Sequence, residues 1–137
     1  MRLAFSVKTL AAVIAILVVS ACASPTGPST LTPPNHGSFV GNVYPHGTTT
    51  LKLTLTGPGT LALTLTQVDP AATVLGLALG VQETTGRCTQ TQHVKTGAGS
   101  VPQLTAVAPA GAYCVEVFDL GTIDLSGASF VVNIAAS

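Results

Sequence analysis

The stretch "TTTLKLTLTGPGTLALTLTQV", Thr48 to Val68, decides the fold class. Leu51, Leu53 and Leu55 fall on one parity, and Leu61, Leu63 and Leu65 again share one parity. Thr, Lys and Ala stand between them. A period of two puts one face of each segment in an apolar core and the other in solvent, which is the pattern of a half-buried strand and not of a helix. Between the two runs, "TGPGT" reads as a turn, because Gly tolerates positive φ and Pro fixes its own. The spacing predicts a β-hairpin over residues 48–67.

The same reading extends outward. "SFVGNV" opens the body. "TVLGLALGV" carries Leu75, Leu77, Leu79 and Val81 on one parity. Gly76 and Gly80, with a β-branched start, favour strand over helix there. "VPQLTAVA" is broken by Pro102 and suits an edge strand. "AYCVEVF" and "ASFVVNI" complete the set. "QETTGRCTQTQHVKTGAGS" has no alternation and is expected to be a long connection. Seven or eight short strands separated by turns predict an all-β, antiparallel, jelly-roll-like sandwich, in which two sheets hide their apolar faces against each other.

Composition agrees. The chain of 137 residues is 47% apolar and only 7% charged, with 14 Gly and 9 Pro. From Cys22 onward Lys52, Arg87 and Lys95 face Asp69, Glu83, Glu116, Asp119 and Asp124, a net charge of −2. No basic patch exists to neutralise phosphates, which excludes nucleic acid as the expected partner.

The N-terminus is organised differently. Arg2 and Lys8 precede an uninterrupted apolar run, Leu10 to Val19, followed by the small residues "SACAS". This is the layout of a secretory signal, and the run is about half the roughly 20 residues that a spanning helix needs. Val19-Ser20-Ala21-Cys22 resembles the lipobox of bacterial lipoproteins. That resemblance implies a signal peptide over 1–21, with its signal helix, and acyl chains on Cys22 that hold the chain to a membrane. Ala23 in place of Asp implies the outer membrane. Cleavage after Ala23, at the end of "ACA", is the alternative, and would release a soluble secreted or periplasmic protein beginning at Ser24. Residues 22–37, rich in Pro, Ser, Thr and Gly, are expected to form a flexible tether to a domain over 38–137.

Setting Cys22 aside leaves Cys88 and Cys114. An even pair in an exported domain reads as one disulfide, worth roughly 3 kcal/mol in the chain-entropy picture. No C-x-x-C is present, which argues against redox catalysis. Tyr113, Val115 and Val117 make the better core face of their strand, so Cys114 is expected on the outer face.

Catalytic signatures are missing: no H-E-x-x-H, P-loop, S-x-x-K or G-x-S-x-G. His36, His46 and His93 are scattered, without metal spacing. Glu116, Asp119 and Asp124 could supply oxygen ligands to Ca²⁺, but their spacing is not that of an EF-hand, and solvated turn residues are the simpler reading, so no metal is expected. No other cofactor is indicated. With no Trp, and Phe39 and Tyr113 expected in the core, Tyr44 is the one ring positioned to meet a ligand, such as a glycan or a protein.

The body resembles the bacterial pre-peptidase C-terminal type of β-sandwich in "GSFVGNV", the alternating leucines, "PAGAYCVEVFDLG" at 109–121 and "GASFVVNIA" at the end. The resemblance implies an accessory, non-catalytic role, here without an attached peptidase. It assigns no functional residues.

Overall fold

The computed structural model describes Gly27 and residues 30–137. The leader, both cleavage positions and Cys22 lie outside the described residues. Nine strands follow one another: β1 (Thr30–Leu31), β2 (Asn35–Val43), β3 (Thr48–Leu55), β4 (Gly59–Asp69), β5 (Leu75–Gln82), β6 (Cys88–Thr96), β7 (Leu104–Ala108), β8 (Gly111–Phe118) and β9 (Ala128–Ala136). There is no helix among the described residues. One sheet has the order β1-β3-β8-β5-β6 and the other β2-β9-β4-β7. All pairings are antiparallel except that of β1 with β3.

The two sheets close on one core. Leu53 and Leu55 of β3, Leu75, Leu77 and Leu79 of β5, and Val115 and Val117 of β8 meet Phe39, Leu61, Leu63, Leu65, Phe130, Val132 and Ile134 from the opposite sheet. Phe39 and Phe130 pack edge to face, 5.0 Å between centroids. The alternation therefore assigns the faces correctly. Leu51, nearest the rim, is only half-buried. Val81 keeps its parity but lies where β5 passes the rim of the core, and it is exposed.

The expected hairpin at 48–67 is corrected. Its strands form, but β3 and β4 belong to different sheets, and Thr56-Gly57-Pro58 is an arch over the edge of the core. Alternation is silent here, because two apolar faces can lie side by side or face each other. Sheets stack about 10 Å apart. Three linking residues at up to about 3.5 Å each can cover that distance. Among the described residues, only β5 and β6 are consecutive neighbours in one sheet; every other connection changes sheet.

Two further expectations change. The unpatterned 82–100 region contains β6, an edge strand paired with β5 from Gln82↔Cys88 to Leu75↔Thr96. Its Thr and Gln side chains are exposed, so no apolar alternation marks it. The tether also ends earlier than Gly37. Leu31 is buried, its carbonyl accepts the Thr56 N–H at 3.1 Å, and β2 begins at Asn35. A single leucine in a Pro- and Thr-rich segment suffices, because burying it contributes about 1.5–3 kcal/mol.

The Cys88–Cys114 disulfide is present, with Cα atoms 5.9 Å apart. It lies on the outer face of the five-stranded sheet, as the parity of β8 requires, and Cys114 is nonetheless buried. The bridge passes over β5 at Gly80, where an added Cβ would lie 2.9 Å from Cys88 Sγ and 2.5 Å from the Thr89 carbonyl. Phe118 covers Gly76 in the same way. β5 is thus buried on both faces, with leucines inward and Gly76, Ala78 and Gly80 beneath the outer covering.

Candidate functional site

Strand directions put the links 44–47 (β2 to β3), 70–74 (β4 to β5) and 119–127 (β8 to β9) at one end of the sandwich. The Asp119 carboxylate ties two of them together. Its Oδ2 accepts the backbone N–H of His46 at 2.8 Å, and its Oδ1 accepts those of Gly121, Thr122 and Ile123 at 2.8, 3.0 and 3.2 Å. The Asp119 N–H donates in turn to the Gly47 carbonyl. This web holds His46 at positive φ, a conformation that His tolerates better than most residues. Gly121 and Gly127 also take positive φ in the 119–127 link. The His46 N–H, helped by the three from the link, holds the Asp119 carboxyl below its usual value.

Asp124 sits further along the same link. It accepts the N–H of Ser126 at 3.0 Å and the Ser126 hydroxyl, and these bonds keep its carboxyl below the usual value. Both aspartates are therefore anions engaged in shaping the loop. Glu116 is elsewhere, on the outer face of β8, where it accepts from the Thr50 hydroxyl at 3.1 Å and Gln90 Nε2 at 2.7 Å. The structure does not bring Glu116 together with Asp119 and Asp124. Among the described residues, no three His, Cys, Asp or Glu side chains converge on a point where an ion could sit. His36, His46 and His93 are exposed and apart.

Tyr44 is exposed, as expected, at 60%. Its ring lies against Gly127, where an added Cβ would come within 2.9 Å of Cδ1. Phe39 is in the core, whereas Tyr113 is only half-buried at its rim and donates its hydroxyl to the Pro109 carbonyl at 2.8 Å. Next to Tyr44, between the 70–74 and 119–127 links, opens a cleft of about 480 Å³. Val74, Ile123 and Pro70 supply apolar walls, and Thr73, Thr122, Lys95 and Asp124 supply polar groups. Lys95, Thr73 and Thr122 carry no sequence signal, since they come from three separate segments. The cleft offers one cation, one anion and two hydroxyls over an apolar lining. That set can hold a ligand with both charges. No histidine lines it.

No family model matches the chain, and no curated protein matches it. Among solved structures, the chain is similar to PliG of Aeromonas hydrophila, a periplasmic lysozyme inhibitor of g-type lysozyme. The TM-score is 0.53 and the identity 9%, over 80% of this chain and 97% of that one. It also overlaps part of a β-glucosidase from Paenibacillus barengoltzii, with a TM-score of 0.44 and 12% identity, over 78% of this chain and 11% of that one. At such identities the likeness is one of fold.

Proposed function

We propose that this chain is an exported protein of the bacterial cell envelope that acts by binding and not by catalysis, anchored through acyl chains on Cys22. The observation that carries the reading is the Cys88–Cys114 disulfide, built into the covered face of the sheet. Structural disulfides belong to oxidising compartments. Their pairing also leaves Cys22, in Val19-Ser20-Ala21-Cys22, as the one spare thiol of the three. The signal layout of residues 1–21 supplies the route. Two or three acyl chains hold a protein stably where one holds it only reversibly.

The binding reading rests on the loop-end cleft, with its mixed charge and apolar lining. The likeness to PliG supports it, as a periplasmic inhibitor with a similar fold. The resemblance to accessory pre-peptidase C-terminal sandwiches points the same way. Outer-membrane residence is part of the proposal and follows from Ala23. The competing form is a soluble protein cut after Ala23 that presents Tyr44 and the cleft to a glycan or peptide; the exposed Tyr44 ring favours that ligand class. Intact-mass analysis of the protein purified from its native host separates the two. A lipid increment that disappears in Cys22→Ser supports the anchor. An unmodified chain beginning at Ser24 refutes it.

A further inference from the structure

We propose that the Tyr44 end of the sandwich rests on the bilayer that carries the anchor, so that the ligand of the loop-end site is a zwitterionic lipid surface. This rests on the lipid anchor at Cys22. Its first support is the length of chain between anchor and body. Gly27 already lies against the body, where an added Cβ would be 2.6 Å from the Ser38 carbonyl, 3.0 Å from Phe39 Cα and 3.1 Å from a Leu51 methyl. From Gly27 back to Cys22 the fully extended chain reaches about 18 Å. A nine-residue strand such as β9 is about 30 Å long. Half of that length is about 15 Å, so a body held at its middle by a link of about 18 Å stands at most a few ångströms clear of the headgroups.

The second support is direction. β1 is parallel to β3, with Thr30 beside Thr54 and Leu31 beside Leu55. Between Gly27, near Leu51, and Leu31 the chain therefore descends away from the Tyr44 end. Gly27 thus lies nearer the Tyr44 end than Leu31 does.

The third is the surface found there. Tyr44, Leu120 at 37% exposure and Leu125 at 93% are exposed apolar residues of the 44–47 and 119–127 links or their borders. At the opposite end the turns 56–58, 83–87 and 109–110 carry none themselves, and Val81 and Val107, at 45% and 87% exposure, stand singly within two residues of them. Val40, Val81 and Val107 lie on strands, and Val101 runs beside β4 between the Gly99–Leu65 and Gln103–Leu63 hydrogen bonds. Tyr and Leu on rigid loops suit the interface, where a ring can keep its hydroxyl wet while its body is buried. Lys95 and Asp124 beside them match the phosphate and the ammonium of a zwitterionic headgroup. The acidic balance of the body offers no attraction to anionic lipid.

Hydrogen–deuterium exchange on phosphatidylethanolamine–phosphatidylcholine vesicles tests this in two arms. One arm uses the native lipidated protein. The other uses a chain beginning at Cys22 coupled to a maleimide lipid, with the Cys88–Cys114 bond left oxidised. The expected result is exchange slowed several-fold in 44–47 and 119–127 on anchoring, with 83–87 unchanged, and the slowing abolished by Leu120→Ser/Leu125→Ser. Equal exchange in anchored and free protein, or protection centred on 83–87, overturns the proposal. Native protein without a lipid mass overturns the anchor instead, and the coupled arm still decides which end docks.

Discussion

Replacing both disulfide cysteines, Cys88→Ala/Cys114→Ala, should cost a large share of the stability of this body. The bond closes a loop with a sequence separation of 26. In the chain-entropy picture, removing that constraint from the unfolded ensemble costs about 3.5 kcal/mol near room temperature. Domains of this size typically hold only about 5–15 kcal/mol in all. At roughly 4 °C or more per kcal/mol, Tm should fall by about 14 °C or more. Alanine is the right replacement because Cys114 is buried. A serine there would add an unpartnered hydroxyl and confuse cross-link loss with polar burial. Urea melts of oxidised wild type and of the double variant, followed by circular dichroism, give the difference directly. Because the bond is covered on one side, reductant should act slowly on the folded protein and quickly in denaturant, since access requires opening of the β5–β6 region. A loss below about 1 kcal/mol would refute the reasoning, and would mean that β6 is held by its ladder to β5 alone.

Two other perturbations probe features on either side of that bond. Gly76→Ala places a Cβ against the Phe118 ring, so the ring must move, at a cost of about 1–3 kcal/mol; in a Phe118→Ala background most of that cost should vanish, and an unchanged cost in the double-mutant cycle would sink the account. Asp119→Asn should lower Tm at neutral pH and flatten its fall in acid. The folded carboxyl titrates below its ordinary value of 3.8, so its contribution is present above that value and is lost as pH falls through the folded pKa. Parallel curves of Tm against pH for the two proteins, from neutral to about pH 2.5, would contradict it.

The strand faces could be read in the amino-acid sequence because burial on one side leaves a period of two. Leu53, Leu55, Leu61, Leu63, Leu65, Leu75, Leu77 and Leu79 all point inward. Pairing could not be read, because parity says which face a residue takes and not which strand lies alongside. Thr56-Gly57-Pro58 would serve as the turn of a hairpin as well as the arch between sheets that it forms. The second burial of β5 was hidden for a related reason. Gly76, Ala78 and Gly80 look like the solvent side of an alternating strand, yet they are small because Phe118 and the disulfide lie on top of them. β6 escaped notice because an exposed edge of Thr and Gln has neither face in the core.

The candidate site was legible only in part. Tyr44 stood out as the exposed ring, and Asp119 and Asp124 stood out as acids near a turn. Their nearness along the chain raised an ion as one reading, whereas Asp119 spends both oxygens on backbone N–H groups from two links. A carboxylate saturated in this way shapes a loop and has little left for a cation. The tether differs as well, because β1 and β2 begin within the span 22–37. Read from composition, residues 22–37 form a spacer that lifts the domain away from its anchor. Leu31 and the Leu31–Thr56 hydrogen bond take the second half of that spacer into the sandwich, and Gly27 already touches β2 and β3. A reach of about 50 Å for sixteen extended residues shrinks to about 18 Å. Under the anchoring proposed at Cys22, so short a link keeps the body beside the lipid. The end proposed to face it bears the exposed Tyr44, Leu120 and Leu125, so in that proposal short tether and apolar rim are two parts of one device.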